Sequence, residues 1–304
     1  METGVISVDD LAGPFDLQAT VESGQSYLWD RLDGKMYTTD AAAGGRAWYE
    51  TVVPPIDGVS NDRAVVRVRQ VDGRIEWEST TDAVPILTHL LRLDDDLTAI
   101  RDAAPDDSLV DRAFEQYRGM RLVRDPPFPC LISFICSAQM RVGRIHGMQQ
   151  RLAAEYGQSV SVDGRTYQAF PTPEELAART ESELRDLSLG YRAPYVQRTA
   201  EMVADGEADP TVAADHDYEA AREYLTQFVG VGQKVADCVL LFSLGFLEAV
   251  PLDTWIRTAI DEHYPDCERG SYESTSAAIR AQFGGAHAGY VQTYVFHYLR
   301  NGGE

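Results

Sequence analysis

The sequence predicts an α+β fold, in which a small antiparallel β-sheet domain precedes a mainly helical domain. Two patterns support this prediction. Residues 13–80 contain alternating or β-branched segments with Asp-Gly turns, whereas from Thr81 onward apolar residues recur at spacings of three and four. Three prolines between Asp125 and Pro129 interrupt the helical pattern. We therefore expect an N-terminal β domain with some helix at residues 1–125 and a helical domain at residues 126–304.

Two segments of the first domain have the clearest strand patterns. Residues 15–21 and 63–71 alternate or are rich in β-branched residues, so both are predicted to be strands. The dipeptides Asp33-Gly34 and Asp72-Gly73 favour tight hairpin turns, because Asp and Gly tolerate the positive φ that such turns require.

The second domain is predicted to be a bundle of short helices. Helical periodicity is found at residues 131–138, 142–156, 174–178, 183–187, 195–203, 218–228, 234–244, 254–262, 274–283 and 289–300. The first domain adds helical patterns at 84–93, 97–103 and 109–117. The chain contains no repeat and no low-complexity tract.

Composition restricts the classes of function. The chain has 304 residues and four scattered cysteines, Cys130, Cys136, Cys238 and Cys267, with no Cys-x-x-Cys pair. We therefore expect no metal site and no cofactor, and reduced thiols in a cytoplasmic protein, associated with the nucleoid if the source is a prokaryote. Neither a signal peptide nor a membrane-spanning segment is predicted.

The net charge of −21 by itself argues against a nucleic-acid partner. However, only Lys35 and Lys234 are lysines among 27 basic residues, and an acidic, lysine-poor surface suggests adaptation to high salt in a halophilic source. The charge is also unevenly distributed. No acidic residue occurs between Pro126 and Ala154, a segment that contains Arg141, Arg144 and Arg151. This segment combines predicted core helix with a candidate phosphate-binding surface.

A glycine-rich turn lies between two helical patterns at residues 228–232, Phe-Val-Gly-Val-Gly. Gly230 and Gly232 allow a tight turn whose backbone amides can bind a phosphate without a charged side chain, although many helix connections contain such glycines. Lys234 follows in the first turn of the next helix, where the helix dipole disfavours a cation. It is either an ordinary helix residue or an amine nucleophile.

Asp253 follows Lys234 by nineteen residues, in the segment Val250-Pro-Leu-Asp253. Its position after a proline predicts the N-cap of the next helix. Asp253 is either only a cap, or a carboxylate that stabilises a sugar cation or accepts a proton.

The hairpin, Lys234 and Val250-Pro-Leu-Asp253 resemble the helix–hairpin–helix (HhH-GPD) DNA glycosylases, and the whole chain resembles the 8-oxoguanine DNA glycosylase/AP lyase family. Further resemblance is found, in the family's order, at residues 23–29, 134–137, 144–148, 189–193, 234–238 and 288–296. Together these motifs cover about residues 12–300. The resemblance implies a β domain of the TBP-like type, base excision repair of 8-oxoguanine opposite cytosine, and a monomer that binds damaged double-stranded DNA.

The resemblance also implies roles for individual residues. Lys234 corresponds to the nucleophile that forms a Schiff base, and Asp253 to the catalytic aspartate. The implied base-binding residues are Gly24, Gln292, Phe296 and Cys238. The implied DNA-binding residues are Gln139, Arg144, Tyr191 and Arg192, together with the hairpin glycines Gly230 and Gly232.

The chain departs from the family pattern at two places. Gln139-Met140-Arg141 stands where the family has an asparagine run, and Trp255 stands where it commonly has histidine. The sequence leaves three alternative functions open. A monofunctional alkylpurine glycosylase of the same fold would not need Lys234, and a non-catalytic hairpin DNA-binding protein would not need a base pocket. An acidic protein-interaction scaffold would leave the acid-free segment unexplained.

Overall fold

A computed structural model of the chain describes residues 1–38 and 46–303 and has the predicted α+β architecture. Its N-terminal part is a five-stranded antiparallel sheet in the order β1-β5-β4-β3-β2. The strands are β1 (Glu2–Ser7), β2 (Asp30–Arg31), β3 (Tyr49–Val53), β4 (Ala64–Val71) and β5 (Arg74–Ser79). In the described ranges, no helix has both the length and the hydropathy needed to cross a lipid bilayer.

The strand predicted over residues 15–21 is wrong, because helix α1 (Leu17–Glu22) occupies this segment. The Asp16 side chain caps the helix by accepting a hydrogen bond from the Ala19 N–H at 2.8 Å. Every residue of α1 is buried. A helix that is buried on all sides has no polar face, so the periodicity that distinguishes a helix from a strand is absent.

Three Asp-Gly dipeptides form turns of different kinds in the structure. Asp72-Gly73 joins β4 to β5 with φ values of +48° and +74°, as the prediction required. Asp33-Gly34 forms a turn after β2, but the paired strand β3 begins only at Tyr49, so this turn is not a tight hairpin. A second sheet, β6 (Ser159–Val162) and β7 (Arg165–Gln168), was not predicted, although it turns at Asp163-Gly164.

The helices after the sheet, except the first of them, contribute to one large hydrophobic core. They are α2 (Val84–Leu90), α3 (Leu97–Asp102), α4 (Ser108–Gln116), α5 (Pro127–Cys136), α6 (Val142–Tyr156), α7 (Pro173–Ala177), α8 (Glu181–Asp186), α9 (Ala193–Ala204), α10 (Tyr218–Leu225), α11 (Gln233–Val239), α12 (Thr254–His263), α13 (Tyr272–Gln282) and α14 (Ala288–Arg300). Helix α2 packs with the sheet, whereas α3 and α4 pack with the helical core. The division at residue 126 remains a prediction.

Asp125 is a buried acid just before α5. Its backbone N–H donates to the Phe242 carbonyl at 2.8 Å, and its own carbonyl accepts from the Ser243 hydroxyl at 2.7 Å. Burial raises the pKa of the Asp125 carboxyl from 3.8 to about 7, and a hydrogen bond from Ser26 opposes this only partly. A group whose pKa is raised by folding binds more protons in the native state, so its contribution to stability is complete below pH 3.8 and is lost as the pH rises to about 7.

We expect Asp125→Asn to remove this loss. The relevant quantity is the free energy of unfolding of the variant minus that of the wild type. This difference should be more positive at pH 8 than at pH 4 by roughly 2–4 kcal/mol. Denaturant unfolding of both proteins across this pH range measures the difference, with exposed Asp57→Asn as the control. Parallel stability curves for the wild type and Asp125→Asn would contradict the assignment.

Candidate active site

A cavity of about 900 Å³ lies where the loop after α1 meets helices α5, α6, α11, α12 and α14. It brings together seven of the residues singled out in the sequence: Gly24, Gln139, Lys234, Cys238, Asp253, Gln292 and Phe296. The other five, Arg144, Tyr191, Arg192, Gly230 and Gly232, are not part of its lining. Residues more than 200 positions apart in the chain therefore share one cavity.

Lys234 is the second residue of α11 and is half-buried. Its Nζ donates to the Ser137 hydroxyl at 3.2 Å and lies 5.4 Å from the centre of the Phe134 ring. The Ser137 hydroxyl itself donates to the Phe134 carbonyl at 2.7 Å, which leaves its oxygen free to accept from the lysine. No carboxylate in the described ranges forms an ion pair with Lys234. The polar partners of the amine are the Ser137 hydroxyl and the Cys238 thiol.

The prediction that Asp253 caps a helix is confirmed. Its carboxylate accepts a hydrogen bond from the Ile256 N–H at 2.8 Å at the start of α12. Burial raises the pKa of the Asp253 carboxyl, while the charge of Lys234 and the N–H groups of Ile256 and Trp255 oppose this rise. The carboxyl and the amine therefore influence each other electrostatically across the cavity.

Gly24 and one face of α14 form another part of the cavity wall. Gly24 has a φ of +98°, and a Cβ at this position would lie 2.8 Å from Arg300 Nη1. Gln292 is buried, and its Oε1 has no hydrogen-bond partner among the described residues. An unpaired buried amide oxygen is costly, so a ligand that donates a hydrogen bond here would gain affinity. Phe296 is half-buried beside it.

Cys238 lies one helical turn after Lys234 on α11. Burial raises the pKa of its thiol to about 11, although the charge of Lys234 lowers it in part. The thiol is therefore protonated at neutral pH and presents a small polarizable surface to the cavity, not a thiolate.

The glycine turn between α10 and α11 has the hairpin conformation expected from the sequence. Gly230 has a φ of +86°, and the Val231 N–H donates to the Phe228 carbonyl at 3.1 Å. Helix α9 supports the turn, because the Thr199 hydroxyl donates to the Val229 carbonyl at 3.1 Å. Gly232 is exposed and precedes α11 with extended backbone.

The remaining predicted DNA-binding residues lie near the segment 137–144 but in different environments. Gln139 and Arg144 are exposed, and Gln139 has a φ of +53°, which is uncommon for a residue other than glycine. Tyr191 is 50% exposed, whereas Arg192 is only 4% exposed. The Arg192 guanidinium donates to the Ala138 carbonyl and lies 4.3 Å from the centre of the Tyr191 ring. Arg192 is thus bound to protein groups in this structure.

The cavity also contains Ser137 and Arg300, to which the sequence assigns no role. Ser137 resembles any serine at a helix end, and Arg300 resembles any basic residue placed favourably near a helix C-terminus. No pattern in the sequence distinguishes them. Trp255, already noted as a departure, lies at the rim of the cavity and is 39% exposed.

Comparison with known proteins agrees with this architecture. Residues 132–283 match the family described as HhH-GPD superfamily base excision DNA repair protein, and residues 8–131 match the N-terminal domain of 8-oxoguanine DNA glycosylase. A probable N-glycosylase/DNA lyase of Methanothermobacter thermautotrophicus is 30% identical over 96% of this chain and 95% of its own length. The N-glycosylase/DNA lyase of Saccharomyces cerevisiae is 32% identical over 82% of this chain and 68% of its own length.

Among solved structures, the Clostridium acetobutylicum 8-oxoguanine glycosylase/lyase, in complex with double-stranded DNA containing cytosine opposite 8-oxoguanine, is 26% identical and has a TM-score of 0.81. The match covers 95% of this chain and 93% of that protein. The fold is that of a DNA glycosylase with lyase activity. The chain belongs to the HhH-GPD superfamily of base excision DNA repair proteins.

The two hairpin glycines provide a matched pair of substitutions. At Gly230, the positive φ and a Cβ only 2.8 Å from the Tyr195 side chain both oppose alanine. At Gly232, φ is −94° and no atom lies within 4 Å of an added Cβ. We expect Gly230→Ala to lower the free energy of unfolding by about 1–3 kcal/mol and Gly232→Ala to change it by less than about 0.5 kcal/mol. Chemical denaturation measures both, and equal losses would contradict the predicted strain at Gly230.

Proposed function

We propose that this protein acts as a monomer on double-stranded DNA, removes 8-oxoguanine and then cleaves the strand, with Lys234 as the nucleophile. The observation that carries the proposal is the arrangement of the cavity. An amine without an ionic partner, a capping carboxylate and a buried amide oxygen without a hydrogen-bond partner line the same cavity. The relatives named as N-glycosylase/DNA lyases support this reaction class.

The reaction begins with Lys234. In its uncharged form, the Nζ lone pair bonds to the sugar C1′ while the C1′–N9 bond breaks, and the bonding electrons leave with the base, which takes up a proton. The sugar ring opens to a Schiff base between C1′ and Lys234. Loss of a C2′ proton then expels the 3′ phosphate, and water hydrolyses the Schiff base to regenerate the amine.

Asp253 assists the first step in one of two ways. Its carboxylate stabilises the positive charge that develops on the sugar, or it accepts the proton that Lys234 must lose. Burial makes the carboxylate more basic than an exposed aspartate, while the N–H groups at the start of α12 stabilise its charged form. Because these N–H groups hold Asp253 in place, the carboxylate does not form a salt bridge that would occupy the amine.

The damaged base is recognised by the part of the cavity wall formed by Gly24 and α14. The target nucleotide must leave the duplex, and the cost of a few kcal/mol is offset by contacts inside the cavity. Phe296 offers a stacking surface on one face of the base, and Cys238 contacts the other. Gln292 binds the pairing edge, and the Gly24 carbonyl accepts a hydrogen bond from N7–H. Guanine has an acceptor at N7 instead of this donor, so it is disfavoured.

The duplex itself is held outside the cavity. The amides around Gly230 and Gly232 bind the phosphate backbone, and Tyr191 fills the space left by the extruded nucleotide. Gln139, Arg144 and Arg192 contact the opposite cytosine, whose pairing edge offers O2 and N3 as acceptors for arginine donors. Arg192 must first exchange its contact with the Ala138 carbonyl for the base.

Lysine substitution tests the nucleophile directly, because the chain has only two lysines. We expect Lys234→Gln to reduce excision from an 8-oxoguanine:cytosine duplex by about 10³-fold or more and to abolish the covalent complex trapped by borohydride. Exposed Lys35→Gln is the matched control and should behave like the wild type.

The assay should be run at low and at multimolar salt, since phosphate contacts weaken steeply as salt rises. Base release without a trapped complex would indicate a monofunctional glycosylase. DNA binding without base release at either salt concentration would indicate a non-catalytic DNA-binding protein.

Gly24→Ala tests the base contact. The added Cβ has an unfavourable φ and conflicts with Arg300 Nη1, so the loop must shift its carbonyl. We expect excision of 8-oxoguanine to fall about 10–100-fold, which corresponds to the loss of one buried hydrogen bond. Cleavage at a preformed abasic site should change little, because no base is bound there. Equal losses in both assays would count against the carbonyl contact.

A further inference from the structure

Arg300 connects the end of the C-terminal helix to the N-terminal domain. Its Nη1 donates to the Ser23 carbonyl at 2.5 Å, and its Nη2 donates to the Glu22 carbonyl at 3.2 Å. Ser23 immediately precedes Gly24. The last residue of α14 therefore anchors the loop that forms one wall of the cavity, across a sequence separation of 277 residues.

The guanidinium forms no direct ion pair with a carboxylate within the described residues, although its charge interacts with that of Asp253. Arginine remains charged in proteins, and a half-buried charge needs partners, so its hydrogen bonds to backbone carbonyls are structurally important. His297 provides one more contact, with its Nδ1 3.0 Å from Arg300 Nη2. Burial and the charge of Arg300 lower the pKa of His297 to about 3. The imidazole is thus neutral, and because arginine can only donate, Nδ1 accepts and Nε2 carries the proton.

His297 is in turn fixed by the ring of Tyr117, with the ring centres 4.1 Å apart. Two side chains behind the guanidinium therefore restrict its movement. On the cavity side, the same guanidinium lies 5.3 Å from the centre of the Phe296 ring, within the range of a cation–π contact. Arg300 consequently touches both the Gly24 loop and the aromatic ring proposed to stack on the base.

The contacts around Gly24 are close. A Cβ at this glycine would lie 2.8 Å from Arg300 Nη1 and 3.6 Å from Phe296 Cε1. Since the Ser23 carbonyl is already bound to Arg300, the orientation of the next peptide group is constrained. We propose that Arg300 is a positioning residue that fixes the Gly24 carbonyl and the Phe296 ring and thereby sets the selectivity for 8-oxoguanine over guanine. This inference rests on the function proposed above.

Selectivity needs a fixed carbonyl because 8-oxoguanine and guanine differ only slightly. Both bases have the same pairing edge and stacking surface, so a carbonyl distinguishes them mainly by meeting a donor or an acceptor at N7. A carbonyl that can swing away relieves the repulsion from guanine and loses the bond to 8-oxoguanine. Discrimination therefore requires a rigid carbonyl, and the two hydrogen bonds from Arg300 to backbone carbonyls provide that rigidity.

The test compares Arg300→Met and Arg300→Lys with the wild type in three measurements. These are single-turnover excision of 8-oxoguanine, strand cleavage at a preformed abasic site, and an affinity ratio. The affinity ratio is the dissociation constant for a guanine:cytosine duplex divided by that for an 8-oxoguanine:cytosine duplex, both measured in a Lys234→Gln background. Arg280→Met is the control, because Arg280 likewise contacts an aromatic ring, Tyr218, but it pairs with Glu219 and lies outside the cavity.

We expect Arg300→Met to lower excision about 10–100-fold and the affinity ratio at least about tenfold, with abasic-site cleavage within about threefold of the wild type. Arg300→Lys should be intermediate, because an ammonium group retains the charge but cannot span both carbonyls as the planar guanidinium does. Arg280→Met should leave the affinity ratio unchanged.

An unchanged affinity ratio in both Arg300 variants would overturn the proposal, as would an equal loss of excision and abasic-site cleavage, which indicates a purely structural role. If Arg300→Met does not fold, Arg300→Lys decides the question by the same ratio. Failure of the proposed function has a different signature, because the wild type itself would then not release 8-oxoguanine.

Discussion

The cavity depends on how α14 packs against the N-terminal half of the chain. Phe114 of α4 stacks on Tyr294 with ring centres 3.8 Å apart, and the Tyr294 hydroxyl donates to the Met120 carbonyl at 2.6 Å. This packing fixes the helix that carries Gln292 and Phe296 relative to the loop at Gly24. The Gln25 side chain adds hydrogen bonds to the Arg121 carbonyl and the Val123 N–H. If α14 were displaced, Gln292 and Phe296 would move away from the loop at Gly24.

A net charge of −21 makes a DNA-binding surface difficult to build, because acidic side chains repel phosphates. Two local features of the chain offset this repulsion. The segment without acids supplies exposed Arg141 and Arg144 near the cavity, and the hairpin offers backbone amides that carry no net charge. Backbone amides retain their direction and dipole at any pH, and each one used in place of a lysine releases fewer counterions on binding. A surface of this kind suits the high-salt adaptation that the shortage of lysine suggests.

The sequence predicts those structural features that depend only on residues close together in the chain. The cap at Asp253, the turn at Asp72-Gly73 and the hairpin at Gly230 each depend on neighbouring residues, and all are present in the structure. The strand prediction at residues 15–21 is wrong because the helix there is buried on every side and therefore lacks helical periodicity in its apolar residues. Arg300 could not be recognised at all, since its partners at residues 22 and 23 are brought near only by the tertiary fold. Residue roles came from resemblance to a family, not from local patterns.

The amine and the carboxylate meet opposite requirements within one cavity. A nucleophilic lysine must be held in place without a strong ionic partner, since a salt bridge would stabilise its protonated, unreactive form. The Ser137 hydroxyl meets this requirement as a neutral acceptor at 3.2 Å. Burial opposes ionisation of Asp253, whereas the charge of Lys234 and the N–H groups of Ile256 and Trp255 favour its carboxylate form. The helix terminus thus shares the stabilisation of the carboxylate with the lysine, and the two groups lie in the same cavity without a direct ion pair among the described residues.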